Sequence, residues 1–550
     1  MSSLAIMELQ KPTNSPDILT PPRNVLALPE EILSMILSRL SKKSLYTCVQ
    51  VCRDFHRLAV RLGLETMGIY VPEQHCNIKL PDEFYVHRRP DTLDFLLALT
   101  PPIKVFKCIE VDLCIGTTHS GLATQLYRIR RLLEKATTVK SAILAFAFPY
   151  LVGEDDDADP GALEGALEAL FNLLVSKGCT DFRIDDWSDK IVAGYQDPAI
   201  EGKAFSSGWI LQDERQYIRS IRLPKYCWRS LKYNPSAPPK ITHFQVSMEL
   251  LRPPFSEWSF SLLANSPVTS LVMPIRSYPW DTDEVQFIMH RCATMGPLID
   301  SMFVGFERCQ FYQVLPGLNF FSKTLTKLRL HGVPPRHSQW PDSLTLHLPN
   351  LESIELQPLG LRGLLSGPVD KVRLPRLKQI TLVHNDNEND GAIPPFDIET
   401  VAQSVLDVQR LDKFQRPKQG CGENKDGEDH DDHSSISLGA RLVFCIANAD
   451  FRALTASLMK GIPPTLASKE RSDALKRVTT LTIEIRRTKH LIQSGAFKHQ
   501  LIGSLALFPG TETLNVVSLH GSLAVKEDLD EYQFNTLKHH CSSLREAFVY

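Results

Sequence analysis

The residues best suited to chemistry are His430-Asp431-Asp432-His433, with Cys421 nine positions upstream. Imidazole, carboxylate and thiolate all ligate metals. A metal site also needs ligands held in place and oriented by further hydrogen bonds, and this glycine-bearing acidic segment has no large apolar residue to anchor it. It reads as a solvated loop, and no metal or other cofactor is expected. Cys48 and Cys52 are one helical turn apart and can face a common ion, but Leu45, Val49 and Phe55 share their face, so the pair reads as apolar core. Arg128, Arg130 and Arg131 cluster on a helix-like stretch and read as a solvated face. No HExxH, GxSxG, Walker or GxGxxG pattern occurs, and no catalytic residue is expected.

The elements that must position these side chains belong to a long chain. At 550 residues it holds several domains or one repetitive array. Its 61 basic and 63 acidic residues leave a net charge of −2, which argues against a nucleic-acid binder, since neutralising phosphates takes a basic face. The polar, proline-bearing stretch Met1 to Pro22 lacks the order of a signal peptide, and the longest apolar run, Ala142 to Val152, is broken by Pro149 and falls short of the roughly 18–20 residues that cross a bilayer. A cytoplasmic or nuclear protein without a membrane span is expected. Twelve cysteines without a CxxC pair suit free, buried thiols.

A second pattern fills most of the chain: an apolar residue, two variable positions, an apolar residue, one variable position, another apolar residue. Leu325/Leu328/Leu330, Leu351/Ile354/Leu356 and Leu377/Ile380/Leu382 repeat it every 26 residues, within the period of leucine-rich repeats, which these units resemble. Looser copies are Phe106/Ile109/Val111, Cys179/Phe182/Ile184, Ile218/Ile221/Leu223, Ile241/Phe244/Val246, Val268/Leu271/Met273, Ile299/Met302/Val304, Val478/Leu481/Ile483 and Thr511/Leu514/Val516. The last two anchors alternate as in a strand and point to one side, and a single short strand cannot bury that side alone, so units must stack. Helical stretches such as Ala162 to Val175, Val285 to Ala293 and Val401 to Leu411 are expected as the outer layer. The turn asparagine of such repeats is missing from most units: Val333 and Leu359 stand in its place, and only Asn385 matches. Three segments read as polar loops: Glu154 to Asp159, Asn385 to Asp390 and Arg416 to Ser435.

Near the N-terminus, Leu28-Pro29-Glu30-Glu31-Ile32-Leu33-Ser34-Met35-Ile36-Leu37-Ser38-Arg39-Leu40 predicts an amphipathic helix, with Pro29 at its start and Glu30 and Glu31 at its positive end. Ile32, Leu33, Ile36, Leu37 and Leu40 form one apolar stripe. A second helix, capped by Ser44, carries Leu45, Cys48, Val49, Cys52 and Phe55. Helices this short expose more apolar surface than they bury among themselves, which leaves a face for a partner. These residues, with Val51-Cys52-Arg53-Asp54-Phe55, resemble an F-box, departing from its pattern only at Lys43, where proline is common, and at Phe55, where tryptophan is commoner.

The resemblance implies an adaptor of Skp type bound by the module, and through it cullin and RING subunits, so that the chain is the substrate receptor of an SCF-type ubiquitin ligase. The positions matching those that contact the adaptor or build the module are Leu28, Pro29, Ile32, Ile36, Leu40, Leu45, Val51 and Cys52. An F-box followed by leucine-rich repeats recurs among F-box proteins, those of fungal type in particular. The expected architecture is a disordered tail at 1–23, the F-box at 24–68, a connector at 69–102 and, over 103–550, an α/β solenoid with a curved parallel sheet, carrying disordered insertions at 385–390 and 416–435. A protein substrate is expected on the outward strand positions, Lys327, Arg329 and His331, then Ser353, Glu355 and Gln357, then Gln379, Thr381 and Val383. The alternative is an interaction scaffold that binds the adaptor or other partners without ubiquitination.

Overall fold

The computed structural model describes residues 28–79, 90–114, 119–147, 160–186, 230–251, 255–275, 282–306, 311–331, 344–357, 360–361, 364, 371–385, 437–444, 478–485, 510–518, 527–528, 535, 538–539 and 541–549. The tail at 1–23, the loops at 154–159, 386–390 and 416–435, the Ile218 unit and the stretch Val401 to Leu411 lie outside them, as does His430-Asp431-Asp432-His433 with Cys421.

Three helices open the structure: α1 (Glu30–Leu37), α2 (Lys42–Cys48) and α3 (Arg53–Glu65). β1 (Cys76–Lys79) and α4 (Thr92–Ala98) follow. Strands and helices then alternate through β2 (Val105–Cys114), α5 (His119–Lys135), β3 (Thr138–Ala147), α6 (Pro160–Ser176), β4 (Asp181–Asp186), β5 (His243–Val246), α7 (Ser256–Asn265), β6 (Ser270–Ile275), α8 (Thr282–Met295), β7 (Ser301–Phe306), α9 (Phe311–Leu318) and β8 (Lys327–His331). The remaining strands are β9 (Leu346–His347), β10 (Ser353–Leu356), β11 (Val372–Arg373), β12 (Gln379–Asn385), β13 (Ser437–Phe444), β14 (Val478–Ile485), β15 (Thr513–Ser518), β16 (Glu527–Asp528) and β17 (Glu546–Val549).

Fifteen of these strands form one sheet, in chain order but for the swap of β16 and β17 at its far edge. Every pairing is parallel except β16 with β17. The expected register is observed: Leu328 lies opposite Ile354 and Ile354 opposite Ile380, all three buried. The looser copies upstream join the same row, since Ile109, Ala142, Phe182, Phe244, Leu271, Met302 and Leu328 are successive partners. The two downstream copies are shifted: a register irregularity between β13 and β14 sets Leu481 and Leu514 in line with Leu382. Backbone pairing continues below the strands. The amide two positions ahead of each second anchor donates to the carbonyl of the preceding unit, from Thr180 to Lys140 through Thr242, Thr269, Asp300, Thr326 and Glu352 to Lys378, at 2.8–3.0 Å. At Thr180, Thr242 and Thr326 the hydroxyl donates to that same carbonyl, at 3.1, 3.2 and 3.1 Å. Threonine thus satisfies backbone groups at the strand entry of an array that mostly lacks the turn asparagine.

Several elements differ from the sequence expectation. Asn385 closes β12 instead of opening a loop. The stretch read as connector supplies β1, the sheet's first edge, and α4. In the three most regular units the back layer includes strands: β9 and β11 pair in parallel as a second, two-stranded sheet. Leu344, Leu346 and Leu348 alternate with exposed Thr345 and His347, and Val372 and Leu374 with exposed Arg373, a period of two that suits a strand with one covered face.

Arg128 is the largest departure from expectation. It is buried, its guanidinium donating to Asp91 at 2.7 and 2.9 Å, to Asp94 at 2.7 Å and to Gln125 at 2.6 Å. Asp91 caps α4, accepting from the Asp94 amide while Asp94 accepts from the Asp91 amide. One cation therefore locks α5 onto a reciprocal helix cap built from two carboxylates.

Candidate functional site

α1 begins where the Pro29 carbonyl accepts from the amides of Ile32 and Leu33, with Glu30 and Glu31 in its first turn. Its apolar residues fall into two stripes, not one. Leu33 and Leu37 are 5% and 2% exposed and pack into the core, whereas Met35 and Ile36 are 58% and 48% exposed. Leu28, Ile32 and Leu40 lie exposed with them, and Val51 is exposed beyond α2. Full burial of such a side chain is worth about 1.5–3 kcal/mol, so this surface has a strong tendency to acquire a cover.

The other expected positions sort by burial. Pro29 is exposed and Cys52 half-buried. Leu45 is fully buried, because α2 turns that face into the hairpin, which places it among the positions that build the module. The cap of α2 is Ser41, not Ser44; the Ser44 amide donates to the Ser41 hydroxyl at 3.2 Å. Met35 was missed by the sequence reading. Its spacing of three from Ile32 would have found it, had the two stripes been separated.

Rigid supports hold α1 in place. Glu30 accepts from Arg57 of α3 at 2.7 and 3.3 Å and from Arg61 at 3.3 Å, and Arg61 also reaches the Ser34 hydroxyl at 3.2 Å. The Arg57 guanidinium holds the Glu30 carboxyl below its ordinary range. α3 meets α4 closely enough that a methyl group on Gly63 would overlap the Phe95 ring, and Tyr46 of α2 packs edge-on against that ring at 5.5 Å. His56 places its ring nitrogens 2.9 and 2.8 Å from the carbonyls of Val49 and Ala98, joining the ends of α2 and α4. A single buried cluster runs from Leu33 through the array to Leu544.

The outward sheet positions form the second candidate surface. Lys327, Arg329 and Gln379 are exposed, and His331, Ser353 and Thr381 half-buried. Glu355, Gln357 and Val383 are buried, against expectation. Glu355 is covered by its neighbours on β8: Arg329 Nε lies 3.4 Å and His331 Nε2 3.1 Å from its carboxylate, while the edge of the Phe303 ring meets His331 at 4.8 Å. Alternation fixes the side of the sheet a residue faces, not whether longer neighbours fold over it. On β5, His243 shares a hydrogen bond of 2.9 Å with Ser270 and sits 3.7 Å from Asp181. Burial lowers its basicity, Asp181 opposes this, and Arg183 and Arg329 add to it.

The buried cysteines are poor nucleophiles. Burial pushes the thiols of Cys76, Cys179 and Cys292 up to about 12, and Cys48 and Cys52 are free thiols on the module. No helix among the described residues is long and apolar enough to cross a membrane.

No curated protein matches the chain. A family model does match at the N-terminus: residues 25–64, a span from just ahead of α1 to the last turn of α3 that carries both apolar stripes, fit the model described as F-box-like.

Proposed function

We propose that this chain is the substrate-receptor subunit of an SCF-type cullin–RING ubiquitin ligase. The observation that carries this reading is the uncovered apolar stripe Leu28, Ile32, Met35, Ile36 and Leu40 on a segment that fits the F-box-like model. F-box domains generally bind a Skp-type adaptor, and that stripe is the surface such an adaptor covers. The outward face of the repeat sheet then holds a protein substrate. The chain itself supplies no catalytic group; it raises the effective concentration of the substrate at a ubiquitin-charged enzyme carried by the cullin and RING subunits.

Affinity purification of the full chain followed by mass spectrometry tests this directly. A Skp-type adaptor, a cullin and a further protein whose half-life lengthens when this chain is removed are the expected result. Co-purification of the adaptor with no change in any partner's half-life would instead favour an interaction scaffold, and absence of the adaptor would remove both readings.

A further inference from the structure

Strand register lines up one cross-strand row on the outward face: Arg183 of β4, Gln245 of β5, Val272 of β6, Phe303 of β7 and Arg329 of β8 are successive partners. Two cations thus bracket an amide and two half-buried apolar side chains. Each arginine is anchored by a carboxylate that lies deeper than itself. Arg183 donates from Nε and Nη2 to Asp181 at 3.0 and 2.9 Å, with side-chain exposures of 39% for the arginine and 24% for the aspartate. Arg329 stands 3.4 Å from Glu355, at 56% against 11%. An ion pair whose cation is the outer partner presents positive charge to the solvent, and exposed Lys327 adds to it. Both arginines also lie within electrostatic reach of His243, between them in the sheet. Beyond the bracket the sign reverses, at Glu110 two strands before Arg183 and at Glu355 one strand after Arg329.

We propose that the outward face over β4 to β8 binds an extended acidic segment of a protein partner, its central apolar side chain seated on Val272 and Phe303 and its flanking carboxylates met by Arg183 and Arg329. This rests on the substrate-receptor reading of the same sheet and names the class of substrate. Four strand spacings separate the arginines, roughly 19 Å, which an extended peptide crosses in about six residues. Guanidinium groups recognise carboxylates by charge-assisted hydrogen bonds, and a segment whose acidic residues extend further toward β2 meets Glu110 and is repelled.

The test uses the full chain and three fluorescein-labelled peptides, each with a central leucine flanked three residues away on both sides by glutamate, lysine or serine. Fluorescence anisotropy should show the glutamate peptide binding tighter than the lysine peptide by about tenfold or more, equivalent to ~1.4 kcal/mol, with the margin shrinking as salt rises. Arg329→Glu and Arg183→Glu should each invert the preference toward the lysine peptide, and Arg329→Gln should abolish it with an unchanged circular dichroism spectrum and melting temperature. Lys378→Glu, outside the row, should keep the wild-type preference. Equal binding of all three peptides, the same inversion by Lys378→Glu, or tighter binding of an oligothymidylate that competes at these arginines would overturn the proposal. Adaptor binding measured on the same variants should stay unchanged, so failure of peptide selectivity alone counts against this inference and leaves the receptor reading standing.

Discussion

At Arg128 a single side chain satisfies Asp91 and Asp94 together, and both carboxylates are also the cap of α4. Burial works against the guanidinium charge, but the two carboxylates outweigh it and raise its basicity above the ordinary value. Removing the cation leaves two acidic groups in a place with little water, and breaking a buried pair in this way costs about 3–5 kcal/mol. Arg128→Leu should therefore lower the urea midpoint clearly, and adding Asp91→Asn should restore part of the loss; an unchanged midpoint would show that the network is not stabilising. His243 gives a pH signature. Its folded-state value lies below the ordinary 6.5, chiefly through burial, with Arg183 and Arg329 assisting and Asp181 opposing. The folded state thus binds fewer protons than the unfolded state, so this contribution to stability is present above about pH 6.5 and is lost as pH falls through the depressed value. His243→Gln should flatten the fall in melting temperature between neutral and mildly acidic pH relative to the wild type, and parallel curves would show that the residue does not couple to folding.

The helix α1 is apolar on two sides because it has one partner within the chain and surface left for another. Leu37→Ala opens a cavity beneath α1 and should cost about 2–5 kcal/mol, whereas Ile36→Ala, one position away, should stay within about 0.5 kcal/mol of the wild type. Equal losses measured by denaturant unfolding would place both on the same inward face. The sequence made the existence of α1 plain but merged its two stripes, since hydrophobic spacing says nothing about which partner covers which face. In the array, the 26-residue interval fixed the register of Leu328, Ile354 and Ile380, because units of constant length return the chain to the same lateral position. β3 escaped the pattern because Ala142 holds its second anchor, and a small residue there carries little hydrophobic signal. β1, at four residues, was too short to show periodicity. Arg128 and Glu355 were unreadable for a common reason: the groups that bury them are contributed by a neighbouring helix cap and a neighbouring strand, beyond any local window.

For the molecule as a whole, the uncovered stripe lies on a module built into one end of the array. One buried cluster includes residues of α1 and of the last described units, and Phe95, His56 and Arg128 tie the junction between the module and the array. A substrate on the sheet face and an adaptor on α1 would therefore be held in a fixed relation, which is what delivery by effective concentration needs. The central claim is that Leu28, Ile32, Met35, Ile36 and Leu40 are the adaptor's seat. Isothermal titration calorimetry of a Skp-type adaptor into the full chain, compared with an Ile32→Asp, Ile36→Asp double variant, tests it most directly. Both side chains already face water, so the variant should melt as the wild type does while its affinity falls by about a hundredfold or more, in line with losing the burial of two large apolar side chains. A variant that stays folded and binds the adaptor as tightly as the wild type would contradict the account.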